Sequence, residues 1–294
     1  MRKQPTNIVV RQDSILGEAL LFHLGGMTMT SIKHLLARRV VQVNGVVQTR
    51  ADYPVKAGDK LSVQQGKGNN ALVHPKLKII YEDDHLIVVN KDRGLLTVAA
   101  NPGGREATVL SILKNYVRHE DRRNNVFVVH RLDRETSGLL VFAKSEDLQH
   151  YMREWWHQLV SKRVYVAVVE GAIEKNEGTI TTWLTTDPRT TMVYSSPVDN
   201  GGKKAITHYK VIKHNEEYSL LELNLDTGRT NQIRVHTASI GHPIVSDHKY
   251  GSDKASPLDR LALHARILEF THPVTEQTVH FETPVPREFL NLFH

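Results

Sequence analysis

Apolar and polar positions alternate in two different textures along the chain. Up to about residue 63 the spacing is helical and then hairpin-like. Ile15, Leu16, Ala19, Leu20 and Leu24 form an i, i+3/i+4 stripe, with Asp13 or Ser14 as cap and Gly25-Gly26 as its end. Thr30 or Ser31 caps a second predicted helix, with Ile32, Leu35 and Leu36 inward and the cations Lys33, Arg38 and Arg39 outward. Val40–Val43 reads as a strand, Asn44-Gly45 as a hairpin turn and Val46-Val47 as the return, followed by a turn at Lys56–Leu61. From Lys76 onward short, continuous apolar runs dominate, the signature of buried strands. They lie at 78–82, 86–91, 126–129, 139–143, 164–171, 179–184, 205–212, 218–225, 261–270 and 277–281. Three helices interrupt them. Thr108 caps the first, whose inner face is Val109, Ile112, Leu113, Tyr116 and Val117. Ser145 opens the second, with a stripe through Leu148, Tyr151 or Met152, Trp155 and Leu159. Trp155 and Trp156 read as packing anchors. Thr230 opens the third, with Ile233, His236, Thr237 and Ile240 on one face. There is no regular βαβ alternation, so the fold class is α+β with a mixed, mostly antiparallel sheet. The boundaries follow as a tail at 1–12, a small α/β module at 13–63, a Gly-rich linker at 64–75 and a large domain at 76–294.

Charge sharpens this division. Residues 1–75 carry ten Lys and Arg against four Asp and Glu, while the rest of the chain balances at 28 against 28, so the whole +6 excess lies in the N-terminal quarter. A basic module of this kind attracts a polyanion, RNA or DNA first. An apolar fraction of 40% over 294 residues suffices for a sizeable core. The absence of cysteine excludes disulfides, thiolate metal sites and cysteine nucleophiles. No window reaches the ~18 apolar residues of a membrane span, and the opening residues lack the features of a signal peptide. A cytoplasmic protein is the expectation.

Candidate chemistry centres on His130-Arg131-Leu132-Asp133-Arg134-Glu135-Thr136-Ser137-Gly138, a polar loop between two apolar strands. A loop held at both ends by core strands presents a side chain rigidly. On these residues alone Asp133 is either such a group or one half of a surface ion pair. The histidines, His119, His130, His236, His242 and His248 among them, show no metal-ligand spacing, so no metal site is expected.

Three ordered motifs carry a resemblance. The first is His130 through Leu139, of the form H-R-L-D-x-x-T-S-G-L. The second comprises Arg163, Tyr165, Ala167, Val169 and Gly171. The third runs from Gly228 to His236, G-R-T-x-Q-I-R-V-H, followed by Gly241-His242-Pro243-Ile244. Together they resemble the RluA family of pseudouridine synthases over residues 76–294. The front module, with its V-x-V-N-G and G-D-x-L turns, resembles the S-four-like RNA-binding domain. Departures from the family pattern are Asp92-Arg93 after Lys91, Asn231 in place of a common histidine, and Lys162-Arg163 before the tyrosine strand. They bear on loop detail and substrate identity more than on activity.

The resemblance implies an isomerase that flips a uridine out of RNA, breaks its glycosidic bond and rejoins the base through carbon, with no cofactor. Asp133 would be the nucleophile, or the base of a glycal route. Arg229 would pair with it, Tyr165 would stack on the base, Arg131 would help evict the uridine, and Ile233 would form an apolar wall or simply belong to the core. Arg134 and Glu135 would be a solvated turn. In the front module Lys33, Arg38 and Arg39 would meet phosphates. Large-subunit ribosomal RNA is the expected substrate and transfer RNA the alternative, with a monomer as the expected state. A non-catalytic RNA-binding or ribosome-assembly protein is a different class of answer, which the intact Asp133, Tyr165 and Arg229 disfavour. A nucleoside hydrolase is disfavoured by the RNA-binding module and the lack of a second carboxylate in the motif.

Overall fold

The structure, a computed structural model, describes residues 6–24, 29–37, 40–63, 72–99, 104, 106–251 and 258–293. Arg38 and Arg39, the Gly25-Gly26 turn and most of the expected linker lie outside the described residues. The chain divides into two compact units. One is Met1–Val73 with Tyr116–Asn124, and the other His74–Asn115 with Asn125–His294.

The first unit contains strands β1 (Thr6–Val9) and β2 (Ser14–Ile15), helices α1 (Leu16–Leu24) and α2 (Met29–Ala37), and strands β3 (Val41–Val43), β4 (Val46–Val47), β5 (Pro54–Val55) and β6 (Lys60–Val63). Four of the strands form a sheet in the order β1-β6-β3-β4, and β2 pairs with β5. Leu16, Leu20, Ile32, Leu36, Val41 and Leu61 are fully buried between helices and sheet. The expected hairpin turn is present, with Asn44 and Gly45 both at positive φ (52° and 83°) as a tight two-residue turn requires. Three expectations change. Residues 6–9 are not tail but a strand paired along β6. Asp13 does not cap α1, because its carboxylate accepts from the Ala57 amide at 2.8 Å. Thr30 and Ser31 lie inside α2 rather than at its start. Lys33 stands exposed on α2.

The second unit is built on a single eleven-stranded sheet. Its strands are β7 (Leu77–Glu82), β8 (Leu86–Lys91), β9 (Phe127–Val128), β10 (Ser137–Ala143), β11 (Val160–Glu170), β12 (Glu177–Thr186), β13 (Val193–Ser196), β14 (Lys203–His214), β15 (Tyr218–Leu225), β16 (Leu263–Thr271) and β17 (Thr278–Glu282). The order is β13-β12-β14-β15-β11-β16-β10-β8-β7, with β17 also on β16 and β9 also on β10. Every pairing is antiparallel except β10 with β16. This is the α+β, mostly antiparallel architecture that the pattern predicts. Helices α3 (Val109–Arg118), α4 (Glu146–Glu154), α5 (Trp156–Leu159), α6 (Gln232–Ser239) and α7 (Arg287–Leu290) cover it.

The junction of β10 and β16 positions the site. All seven residues of β10 are buried. Gly138 sits at φ +117°, and a Cβ there would lie 2.2 Å from the Ala265 carbonyl oxygen. Only glycine permits the two strands to close at the point where the Asp133 loop ends. The Ser145 hydroxyl caps α4 as expected, but the helix breaks at Trp155. Trp156 packs against the core of β8, β10 and β16. Trp155 is instead 44% exposed, so it is no packing anchor. Among the described residues no helix is long and apolar enough to cross a membrane.

Candidate active site

The loop between β9 and β10 is fixed from below by groups that the chain supplies from other elements. Leu132 is buried and exchanges two hydrogen bonds with Thr97: the Thr97 hydroxyl donates to the Leu132 carbonyl (2.8 Å), and the Leu132 amide donates back to it (3.2 Å). The Lys91 ammonium is fully buried at the end of β8. It donates to the carbonyls of Asp92, Leu95 and Arg134 at 3.1, 2.9 and 2.9 Å. Burial pushes its pKa down to about 8, against the pull of Glu135, Asp92 and Asp133. Beneath the strand that follows, the Ser137 hydroxyl meets His264 Nδ1 (2.7 Å) and accepts from Arg260 (2.6 Å). His130, next to Arg131, accepts from the Val141 amide (3.3 Å) and lies against the Trp156 ring. Burial, with Arg163 nearby, holds its pKa near 3, so it is a neutral structural residue.

The third motif forms the facing wall, and it works through side-chain hydrogen bonds rather than helix periodicity. Gln232 is buried and fully bonded. Its Nε2 donates to the Ile206 carbonyl (2.9 Å) and the Thr207 hydroxyl (3.0 Å), while its Oε1 accepts from the Thr227 hydroxyl (2.9 Å) and the Arg229 amide (3.0 Å). His236 contacts the Thr182 and Thr207 hydroxyls, each at 2.9 Å, and burial keeps it neutral with a pKa near 4. These bonds pin α6 onto β12 and β14. Thr230 is not the cap. The residue before α6 is Asn231, at φ 53°, whose amide donates to the Tyr250 hydroxyl (3.0 Å). Ile240, expected inward, is 37% exposed.

Between loop and wall lies a cleft of about 1060 Å³. It is lined by Arg131, Asp133, Tyr165, Arg229, Ile233 and Arg234, among others. The structure therefore brings together all five expected residues of this domain, which the sequence spreads over a hundred positions. Asp133 is partly exposed to the cleft and Arg131 is exposed. Tyr165, half-buried on β11, keeps its phenol proton: burial is the main cause of a pKa of about 12, with Arg163 opposing it and Asp133 adding to it. Ile233 is 5% exposed and belongs both to the core and to the cleft wall.

One expectation is corrected. The arginine on Asp133 is Arg234, not Arg229. Nη1 of Arg234 lies 3.6 Å from Asp133 Oδ2, an ion-pair separation too long for a hydrogen bond. Arg234 is aimed there from behind. The buried Asp247 carboxylate takes its Nε and Nη2 in a two-pronged bond, both at 2.7 Å, and Tyr250 lies under the guanidinium at 5.1 Å. Burial alone would lower the Arg234 pKa, but Asp247 and Asp133 more than offset it and hold the pKa above the usual arginine value. Arg229 instead donates from Nε to the Lys204 carbonyl (3.2 Å) and stays exposed. The physical reason is position on the chain. Arg229 precedes α6 in a loop whose amide is tied to Gln232, whereas Arg234 projects from the first turn of the pinned helix. The signal available in the sequence was the pair Arg234 and Asp247, a cation on a helix and a carboxylate thirteen residues on. Arg163 also belongs to the site. It lines the cleft, donates to the Leu225 carbonyl (3.2 Å), and comes within 2.7 Å of where a Cβ on Gly228 would stand. Arg134 pairs with Glu106 at the surface, consistent with a solvated turn.

A family model described as RNA pseudouridylate synthase matches residues 85–239, a span that holds Asp133, Tyr165, Arg229 and Arg234. The chain is 37% identical over 272 residues to the "uncharacterized RNA pseudouridine synthase YlyB" of Bacillus subtilis (strain 168), covering 90% of this chain and 88% of that protein. It is 35% identical over 291 residues to the ribosomal large subunit pseudouridine synthase D of Nitrosomonas europaea, covering 94% and 83%. Among solved structures, human RNA pseudouridylate synthase domain containing 4 shares the fold, with a TM-score of 0.59, 24% identity and coverage of 72% of this chain and 90% of that one. A cleft that unites an aspartate, an arginine and a tyrosine from three separated motifs, within a span the family model matches, leads to one conclusion: this chain belongs to the RNA pseudouridylate synthase family.

Proposed function

We propose that the enzyme isomerises uridines in large-subunit ribosomal RNA, with Asp133 as the reacting group. The observation that carries the reading is the Asp133–Arg234 pair facing the cleft beside Tyr165. The reaction breaks the bond between ribose C1′ and uracil N1 and makes one between C1′ and C5. The proton on C5 leaves, a proton is gained at N1, and nothing is oxidised or reduced. The chemistry needs an anionic group at the sugar and a neutral one at the base. Asp133, held opposite a guanidinium, supplies the first, as nucleophile at C1′ or as base for a glycal route. Tyr165 supplies the second, since a phenol that titrates near 12 remains protonated at neutral pH. Arg131, exposed two residues before Asp133, fills the space the extruded uridine leaves. Arg229 holds the substrate at the mouth, and Ile233 packs against the uracil.

Ribosomal RNA is favoured because several relatives, those of Nitrosomonas europaea and Vibrio cholerae among them, carry the name ribosomal large subunit pseudouridine synthase. Residues 13–63 act as the S-four-like module that recruits structured RNA, with Lys33, Arg38 and Arg39 at phosphates. This basic module adds affinity without touching the chemistry. The enzyme works as a monomer in the cytoplasm. The test is to map pseudouridines by carbodiimide-dependent reverse-transcription stops in total RNA from cells with and without the gene. The expected result is stops in the large-subunit RNA that vanish without it. Loss confined to transfer RNA would overturn the substrate assignment.

A further inference from the structure

We propose that the wall of the cleft formed by α3 and α4 is a second RNA subsite, which holds the sugar–phosphate backbone of nucleotides flanking the extruded uridine through Lys114 and Arg153. The proposal rests on the reading that Asp133 marks the reacting end of the cleft.

Space is the first argument. Sites for single small ligands occupy about 300–1,000 Å³, and this cleft, at about 1060 Å³, is larger than one nucleotide needs. Asp133, Tyr165, Ile233 and Arg234 account for one end. The remaining wall carries Lys114 from α3 and Gln149, His150 and Arg153 from α4. Positions 146, 149, 150 and 153 fall on one helical face, so α4 turns a single continuous row toward the cleft. Met152 packs into the core of the sheet, and Gln149, at the base of the row, donates from Nε2 to the Val128 carbonyl of β9 (3.0 Å), which fixes that orientation.

Charge is the second argument. Several cations of this unit are neutralised by carboxylates: Arg93 by Asp259, Arg134 by Glu106, Arg266 by Glu282 and Lys144 by Glu82. Arg153 and Lys114 have neither an ion pair nor a hydrogen bond among the described residues, although Lys114 is half-buried. The one acid on the row, Glu146, lies 4.0 Å from His150 and leaves Arg153 alone. Unpaired cations on a concave wall repel one another and concentrate field in the cleft, an arrangement a polyanion relieves.

Continuity is the third. A nucleotide flipped into the floor remains bonded to both neighbours, so its strand must leave along a wall. The α3–α4 wall is continuous with the floor in a single cavity, and phosphate contacts of this sort position a strand without reading its sequence.

The test uses the full-length enzyme and total RNA labelled with [5-³H]uridine, purified from cells that lack the gene. Tritium release follows loss of the C5 proton and does not depend on which RNA carries the target. Lys114→Glu with Arg153→Glu should lower kcat/KM by about 30-fold, leave kcat at saturating RNA within about twofold, and flatten the salt dependence of KM by about 1 to 2 in log–log slope. Lys175→Glu with Lys213→Glu, remote from the cleft and equal in net charge, should change kcat/KM by less than about threefold. If the two double variants behave alike, or if kcat falls while KM holds, the subsite is overturned. Asp133→Asn in the same assay separates the two readings. Turnover by that variant would refute the assignment of the floor, whereas the KM difference between the double variants reports on the wall alone.

Discussion

The floor of the cleft and its α4 rim hold similar cations in opposite ways. On the floor Arg234 is half-buried, clasped by Asp247 through two bonds of 2.7 Å and underlain by Tyr250. On the rim Arg153 is exposed and unpaired among the described residues. The difference teaches how to tell a chemical group from a binding group. A charge that must act at one atom is oversupplied with partners, because misplacement by about 1 Å can cost two orders of magnitude in rate. A charge that must meet a mobile phosphate is left without partners until the substrate arrives.

The contrast breaks most severely if the floor can be disturbed without consequence. Gly138→Ala should do the greatest damage, since the added Cβ meets the Ala265 backbone at φ +117°. We expect a loss of about 4 kcal/mol or more, at the exceptional end for point mutants, seen as a lower urea midpoint. A midpoint unchanged would mean that β10 and β16 can part without cost. Arg234→Lys should come next. Lysine keeps the charge that Asp247 requires but loses the planar fork, so kcat should fall about 100-fold with KM within a few-fold. Arg229→Lys should do the reverse, raising KM and sparing kcat. An equal kcat loss from both would erase the distinction between them.

How far this was legible in the sequence follows from the kind of interaction involved. The α+β class, the strand runs and the loop that places Asp133 in the cleft could all be read, because burial of a strand and the spacing of a motif are local. The partner of Asp133 could not. Arg229 and Arg234 lie five residues apart, and what separates them is Gln232 and Asp247, side chains whose bonds only the folded chain defines. The solvent-facing place of Trp155 was hidden for the same reason. The helix breaks there, and the stripe that looked continuous turns outward.

Acid sharpens the comparison more gently. His236 and His264 are buried and His130 is half-buried, and all three are neutral, with pKa values near 4, 4 and 3. The unfolded chain takes up protons below about 6.5 that the folded protein refuses. Stability is therefore complete above that pH and is lost as the pH falls toward 4, by about 1.4 kcal/mol per unit for each histidine. Thermal melts between pH 7 and 4 should show the decline, and a flat profile would mean that these residues are not sequestered. Smallest of all, removal of residues 1–63 should weaken RNA binding several-fold and reduce its salt slope while leaving kcat intact. An unchanged slope would leave the basic excess without a role.

The central claim is that Asp133, and no other group in the cleft, acts at the ribose. The direct measurement is tritium release from [5-³H]uridine-labelled RNA by Asp133→Asn at saturating RNA, with affinity measured on the same preparation. The account predicts a fall in kcat of more than about 10³-fold with RNA affinity within a few-fold of the parent enzyme. Release at the parental rate would contradict it.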